Sequence, residues 1–235
     1  MNAGLYHHFR QRWIGEITDS LNAGRLPADL FALVEQFAGG LYPDALTLER
    51  GARRNNTSGG IALLDTPPRT RFQMKAEIEG YAARANKIVI RHVHGDVVAA
   101  LEIVSPGNKS SQAAFRDFID KTVHYIRNGV HVLVIDLFPP TQRDPQGIHK
   151  EIWKQFDDAF FELPADKLLT LASYAAGDTK EAFVEPVAAG DALPDMPLFV
   201  QPDQYILVPL EATYQETWRK CPEPYRQAVL EAQKA

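Results

Sequence analysis

One α/β domain, its C-terminal third extending or flanking a central sheet, is the architecture that three observations predict. A four-residue apolar period opens the chain, and a strand, strand, helix, strand succession fills its middle. The third is size: 235 residues with 45% hydrophobic and 23% charged side chains bury one sizeable core, not two full domains. No internal repeat or low-complexity tract interrupts the pattern.

Phe9, Trp13, Ile17 and Leu21 recur every fourth residue until Asn22-Ala23-Gly24 and Pro27, the mark of an amphipathic helix and its stop. A second short helix is expected next, capped by Asp29, with Leu30, Val34 and Phe37 as its apolar side and Gly39-Gly40 as its end. Leu41 to Arg50 alternates as a strand does, and the polar RGARRNNTSGG reads as a surface loop. From Lys87, KIVIRHVHG and DVVAALEIVSP read as antiparallel strands joined at Gly95-Asp96, which suits a tight hairpin. Pro106-Gly107-Asn108 breaks the second strand. Phe115, Phe118, Ile119, Thr122 and Ile126 then share one helical face up to Asn128-Gly129, and the apolar HVLVIDLF has the composition of a central buried strand. Beyond Pro139-Pro140, a helix over Ile148 to Phe160 and strands over Leu168 to Tyr174 and Ala182 to Val187 are expected. A closing helix over Glu211 to Trp218, continuing past Pro224, completes the elements.

Composition excludes several functional classes. The apolar runs fall short of the roughly 20 residues of a membrane helix, the start lacks a secretory apolar core, and the lone Cys221 cannot form an internal disulfide. A cytoplasmic location without a membrane partner is the expectation. The net charge of -5 argues against a protein coated in basic charge, yet Arg50 to Arg91 holds nine basic and three acidic residues, leaving the remainder at -11. That stretch reads either as a solvated surface insertion or as a phosphate-facing surface. SPGNKSS lacks the spacing of a phosphate loop, and neither GxSxG nor HExxH occurs, so a small-molecule hydrolase has no nucleophile motif behind it. His92 and His94 share a strand face without a third ligand, and His7, His8, His124, His131 and His149 show no metal-ligand spacing.

Two carboxylates stand out. Asp44 follows Pro43 at the start of an expected strand, and Glu102 lies inside an apolar one, where a carboxylate needs compensating partners. Glu102 is either a structural ion pair or, converging with Asp44, an oxygen ligand of Mg2+ or Mn2+.

PDALTLER, LEIVSPGNK and FIDKTVHYIRNGVHVLVIDL, in that order, resemble the bacterial family called domain of unknown function 4058. More distantly, they are similar to the Uma2-type members of the PD-(D/E)XK nuclease superfamily. The matching residues are Pro43-Asp44, Glu102 to Pro106 with Asn108-Lys109, Lys121 and Tyr125, Gly129-Val130, and Asp136. The tail, ASYAAGD and then DMPLFVQPDQYILVPLEATYQETW, is also similar to the first family, so the resemblance spans nearly the whole chain.

The resemblance implies a mixed central β-sheet flanked by helices: a restriction-endonuclease-like core over about 5–140, a C-terminal extension over about 141–235, and a metal-dependent phosphodiesterase site at one edge. The superfamily lysine, two residues after the second acid, falls here on Val104. Similar families carry it on the following helix, where Lys121 stands, and Lys109 in the loop is the second candidate. Asp44 and Glu102 are thereby implied as ligands of one Mg or Mn ion, Lys121 or Lys109 as the lysine acting on the attacking water, and Glu35 and Asp136 as accessory carboxylates. Arg53, Arg54, Arg69 and Arg71 would hold the nucleic acid. At 100° per residue, Lys121 sits roughly 120° from the centre of its helix's apolar stripe, a shoulder from which its ammonium can project toward a strand end. A solvated Lys121 paired with Asp117 fits equally; Glu35 reads also as an exposed residue on the second helix, and Asp136 as a loop cap. The reaction implied is metal-dependent hydrolysis of DNA or RNA. Its rival is a non-catalytic binding or scaffold protein that keeps a nuclease-like fold, and the oligomeric state, homodimer included, is open.

Overall fold

The opening period closes into helix α1 (Ala3–Asn22), which buries Phe9, Trp13, Ile17 and Leu21 along one stripe. The computed structural model describes residues 3–38, 84–93, 95–158 and 160–232. The expected strand over 41–50, with Asp44, and the four arginines Arg53, Arg54, Arg69 and Arg71 lie outside these residues, as does His94.

The expected second helix is instead strand β1 (Leu30–Ala38), paired residue for residue with β2 (Arg84–His92), from Leu30 opposite His92 to Ala38 opposite Arg84. A short apolar run such as Leu-Phe-Ala-Leu-Val does not by itself divide helix from strand; nine ladder positions on β2 decide it. β2 turns into β3 (Val97–Ile103) through Gly95, whose φ of +103° is open to glycine at no steric cost and whose N–H donates to the carbonyl of His92 at 2.8 Å. After β3 come α2 (Pro106–Ser110), α3 (Gln112–Arg127) and β4 (His131–Asp136). Gly129, at φ +79°, ends α3 as Asn128-Gly129 predicts. The expected helix over Ile148 to Phe160 is shorter, α4 (Gly147–Trp153), and β5 (Leu169–Ala176) and β6 (Lys180–Val187) follow. An unanticipated hairpin, β7 (Met196–Gln201) with β8 (Gln204–Val208), precedes α5 (Leu210–Arg219) and α6 (Glu223–Ala232).

The six-stranded sheet runs β1-β2-β3-β4-β5-β6, and β3–β4 is its parallel pair, joined by the α3 crossover, with every other neighbour antiparallel. The sheet is therefore mixed and helix-flanked. One face packs Ile88, Leu101, Leu133, Ile135 and Leu171 against α1, the β7–β8 hairpin and α5. The other packs Val132, Val134, Ala172 and Tyr174 under Phe115, Phe118, Ile119 and Ile126 of α3 and Ile148 and Ile152 of α4. No helix among the described residues is long and apolar enough to cross a membrane.

Two histidines are built into this fold as neutral rings. His131 Nδ1 accepts the N–H of Ala176 at 2.9 Å, and His149 Nδ1 shares a 2.9 Å hydrogen bond with Tyr174 Oη inside the Trp153, Phe161 and Tyr174 aromatic cluster. Burial brings each from 6.5 down to about 4. The unfolded chain therefore takes up protons below the ordinary histidine range while the folded chain does not. Asp136 opposes them: burial raises it from 3.8 to about 6, so the folded chain takes that proton first. The histidines outweigh it, and stability is expected to fall by roughly 2–3 kcal/mol between pH 7 and pH 5. Urea unfolding at both values measures the drop, and His149→Gln should shrink it by about 2 kcal/mol; an unchanged drop would remove His149 as its source.

Candidate functional site

β3 ends as an apolar strand interrupted by one acid. Glu102 is 1% exposed, pairs with Val134 of β4, and by alternation faces α3 rather than α1. Its partner is Lys121, whose Nζ lies 2.9 Å from Glu102 Oε1 and 5.1 Å from the Phe118 ring centre. The shoulder position of Lys121 on α3 thus delivers its ammonium to the strand, not to Asp117. Glu102 Oε1 is buried and accepts no well-aligned hydrogen bond; the Lys121 ammonium touches it from an oblique angle.

Two further cations approach the same carboxylate. Lys87, 6% exposed, is opposite Glu35 on β1, and the β2–β3 register, with Ile88 facing Leu101, sets it beside Glu102. Its Nζ donates to Tyr125 Oη, one turn beyond Lys121 on α3. Burial lowers the Lys87 ammonium, Glu102 raises it, and Lys121 lowers it again. Arg10, buried on α1, donates through Nε to the carbonyl of Ile103 at 2.9 Å; burial lowers its pKa, against Tyr6 and Glu102. Glu35 is on a strand, not a helix, and its Oε1 is held by Arg91 Nε at 2.8 Å, both side chains about 30% exposed.

A second polar cluster caps β4. Lys109, at the end of α2, is 2.7 Å from Asp136 Oδ2 and 2.7 Å from Asp144 Oδ2, and all three side chains are 5% exposed or less. Asp144 also receives the N–H of Thr141 at 2.9 Å, and Arg143 Nη1 donates to the Lys109 carbonyl at 3.1 Å, so the cluster fastens α2 to the β4–α4 loop. Tyr6 stands between the clusters: its hydroxyl donates to the Val104 carbonyl at 2.8 Å, its ring meets Phe138 edge-on at 5.0 Å, and Arg10 and Asp136 both act on it. The two clusters flank the carboxyl ends of the parallel β3–β4 pair, where α/β sheets commonly place ligands.

Of the residues singled out in the sequence, the structure brings together Glu102 with Lys121, and Asp136 with Lys109. Glu35 reaches the first cluster only through Arg91 and the adjoining Lys87. His92 lies near Asp29 at 3.2 Å and belongs to no metal-ligating group among the described residues. Lys87, Tyr125 as its partner, and Arg10 are what sequence reasoning missed. The signals available were the alternation Lys87, Val89, Arg91 on one strand face and the four-residue step from Lys121 to Tyr125.

For a hard divalent cation, the buried Glu102 Oε1 with an unused lone pair is a fitting oxygen ligand. Among the described residues no three metal-ligating side chains cluster, and Asp44, the second expected ligand, lies outside them. Comparison with protein-family models, with curated proteins and with solved structures finds no match.

Proposed function

We propose that the protein is a metal-dependent phosphodiesterase with a restriction-endonuclease-like core, hydrolysing a nucleic-acid backbone at the Glu102 site. The observation that carries the reading is the contact of Lys121 with Glu102 at 2.9 Å, against a Lys109 committed to Asp136 and Asp144. Of the two lysines the sequence offered, the one on the helix after the acid is the one beside it. The mixed sheet, with its β3–β4 parallel pair and α3 crossover, agrees with the core that the resemblance implies.

Glu102, with Asp44, would hold Mg2+ or Mn2+, which when bound polarises the scissile phosphate and lowers the pKa of water. Lys121 orients the attacking water and stabilises the charge that develops on the phosphate. Phe118 beneath its ammonium and the apolar α3 face exclude competing water, which strengthens that interaction. The basic Arg50 to Arg91 stretch, with Arg53, Arg54, Arg69 and Arg71, supplies the salt-sensitive grip on the polyanion.

Glu102's near-complete burial favours a second reading, a nuclease-fold binding or scaffold protein without chemistry. Calorimetric Mn2+ titration with plasmid and single-stranded RNA cleavage separates the two. Wild type is expected to bind Mn2+ saturably and cleave, Glu102→Gln to lose both, and Lys121→Met to keep the metal while cleaving roughly 10²–10³-fold more slowly. No saturable binding at millimolar Mn2+, or cleavage that survives Glu102→Gln, overturns the enzymatic reading.

A further inference from the structure

Lys87 belongs to the basic Arg50 to Arg91 stretch, yet the fold buries it rather than leaving it at the surface. Its chain is buried on β2, its Nζ donates to Tyr125 Oη, and the same ammonium lies 4.7 Å from the Tyr125 ring centre, so both hydroxyl and π-face fix it. Tyr125 follows Lys121 by four residues, and one face of α3 therefore presents Lys121 to Glu102 and Tyr125 to Lys87. On β2, Arg91 shares the face of Lys87 and is 28% exposed where it meets Glu35. Cationic groups thus step inward from a half-exposed guanidinium to two buried ammoniums.

Lys121 on Glu102 and Lys87 on Tyr125, one turn apart along α3, set two buried ammoniums about the same carboxylate, and Lys121 pulls Lys87 downward by like-charge repulsion. Glu102 offsets part of that repulsion. The oxygens of a phosphoryl group match two buried ammoniums, and poor solvation strengthens each charge-assisted bond.

We infer that Lys87 and Lys121 form a phosphate-binding pair, approached past Arg91 and fixed by Tyr125, that receives a phosphoryl group of the substrate; this rests on the phosphodiesterase reading of the Glu102 site. Lys87 is then a binding residue in its own right, and Glu102 competes with the incoming anion for both ammoniums.

The test is calorimetric titration of the full chain with inorganic phosphate at low salt, without metal. Wild type should bind saturably, Lys87→Met and Lys121→Met about tenfold or more weakly, and Lys87→Arg within about threefold of wild type. Tyr125→Phe should give a smaller loss. Glu102→Gln should bind phosphate more tightly, a change of sign that a merely structural role for the cluster does not produce. A short single-stranded oligonucleotide in place of phosphate should follow the same order of variants with a steeper salt dependence, if the bound group is a backbone phosphate; the order appearing with phosphate alone assigns the pair to a free phosphate or monoester. Thermal melts of each variant confirm the fold, and Lys87→Arg keeps the comparison usable if Lys87→Met unfolds.

Absence of phosphate binding in wild type, equal affinity in folded Lys87→Met, or weaker binding in Glu102→Gln overturns the inference. Equal affinity in Lys87→Met while Glu102→Gln abolishes Mn2+ binding and cleavage overturns it alone and leaves the phosphodiesterase reading standing. Phosphate binding in the expected order, with cleavage surviving Glu102→Gln, overturns that reading instead.

Discussion

Lys109→Met is expected to destabilise the protein by about 3–5 kcal/mol, because it removes the ammonium that bridges two buried carboxylates. Asp136 and Asp144 are 1% and 0% exposed and both reach the same Nζ at 2.7 Å, so removing it leaves two buried carboxylates without that counter-charge. Burial already holds Asp136 up at about 6, and losing Lys109, the group that pulls it down, raises it further. The sign with pH follows. A carboxyl whose folded pKa rises above its unfolded value is relieved by protonation, so the loss should be larger at pH 8 than at pH 6. Urea unfolding of Lys109→Met at the two pH values reads this directly, and adding Asp144→Asn, which leaves one carboxylate, should recover part of it. A loss below about 1 kcal/mol would place the cluster among ion pairs of little net worth.

Trp13→Ala is the second large effect, expected at about 3–5 kcal/mol. Trp13 is 2% exposed, meets Tyr214 edge-on at 5.2 Å, and donates through Nε1 to Thr213 Oγ1 at 3.0 Å, so it ties α1 to α5 by packing and by a buried hydrogen bond. Trp13→Phe should retain most of the packing, and Thr213→Val should cost about 1–2 kcal/mol by leaving the indole N–H unpaired. If Trp13→Ala and Thr213→Val cost the same, the hydrogen bond and not the indole volume dominates the joint.

What the sequence disclosed was what local chemistry decides. The four-residue period of α1, the Gly95-Asp96 turn, the α3 stripe with its Asn128-Gly129 stop and the apolar β4 are each specified within a few residues, and each stands where expected. β1 was misread because Leu30 to Phe37 carries both periods, and only the nine-position ladder with β2, some fifty residues on in sequence, settles the contest. The β7–β8 hairpin escaped because its strands are short and turn at Pro202-Asp203 without a glycine signal. The site divides the same way. Glu102 announced itself as an acid in an apolar strand, and Lys121 by its helical shoulder. Lys87 beside Glu102 depends on strand register, Arg10 on the path of α1 past the end of β3, and Asp144 beneath Lys109 on a loop, none of which spacing encodes.

The joint between α1 and α5 also sets a timetable. Trp13 and Thr213 are 200 residues apart, so at ordinary translation speeds the buried stripe of α1 waits on the order of 10–40 s for the helix that covers it. During that interval the nascent chain carries Phe9, Trp13 and Ile17 on an amphipathic helix without its final partner. In a growing chain of this design the stripe stays incompletely covered until α5 emerges, and slowing synthesis of the C-terminal third should lengthen that interval.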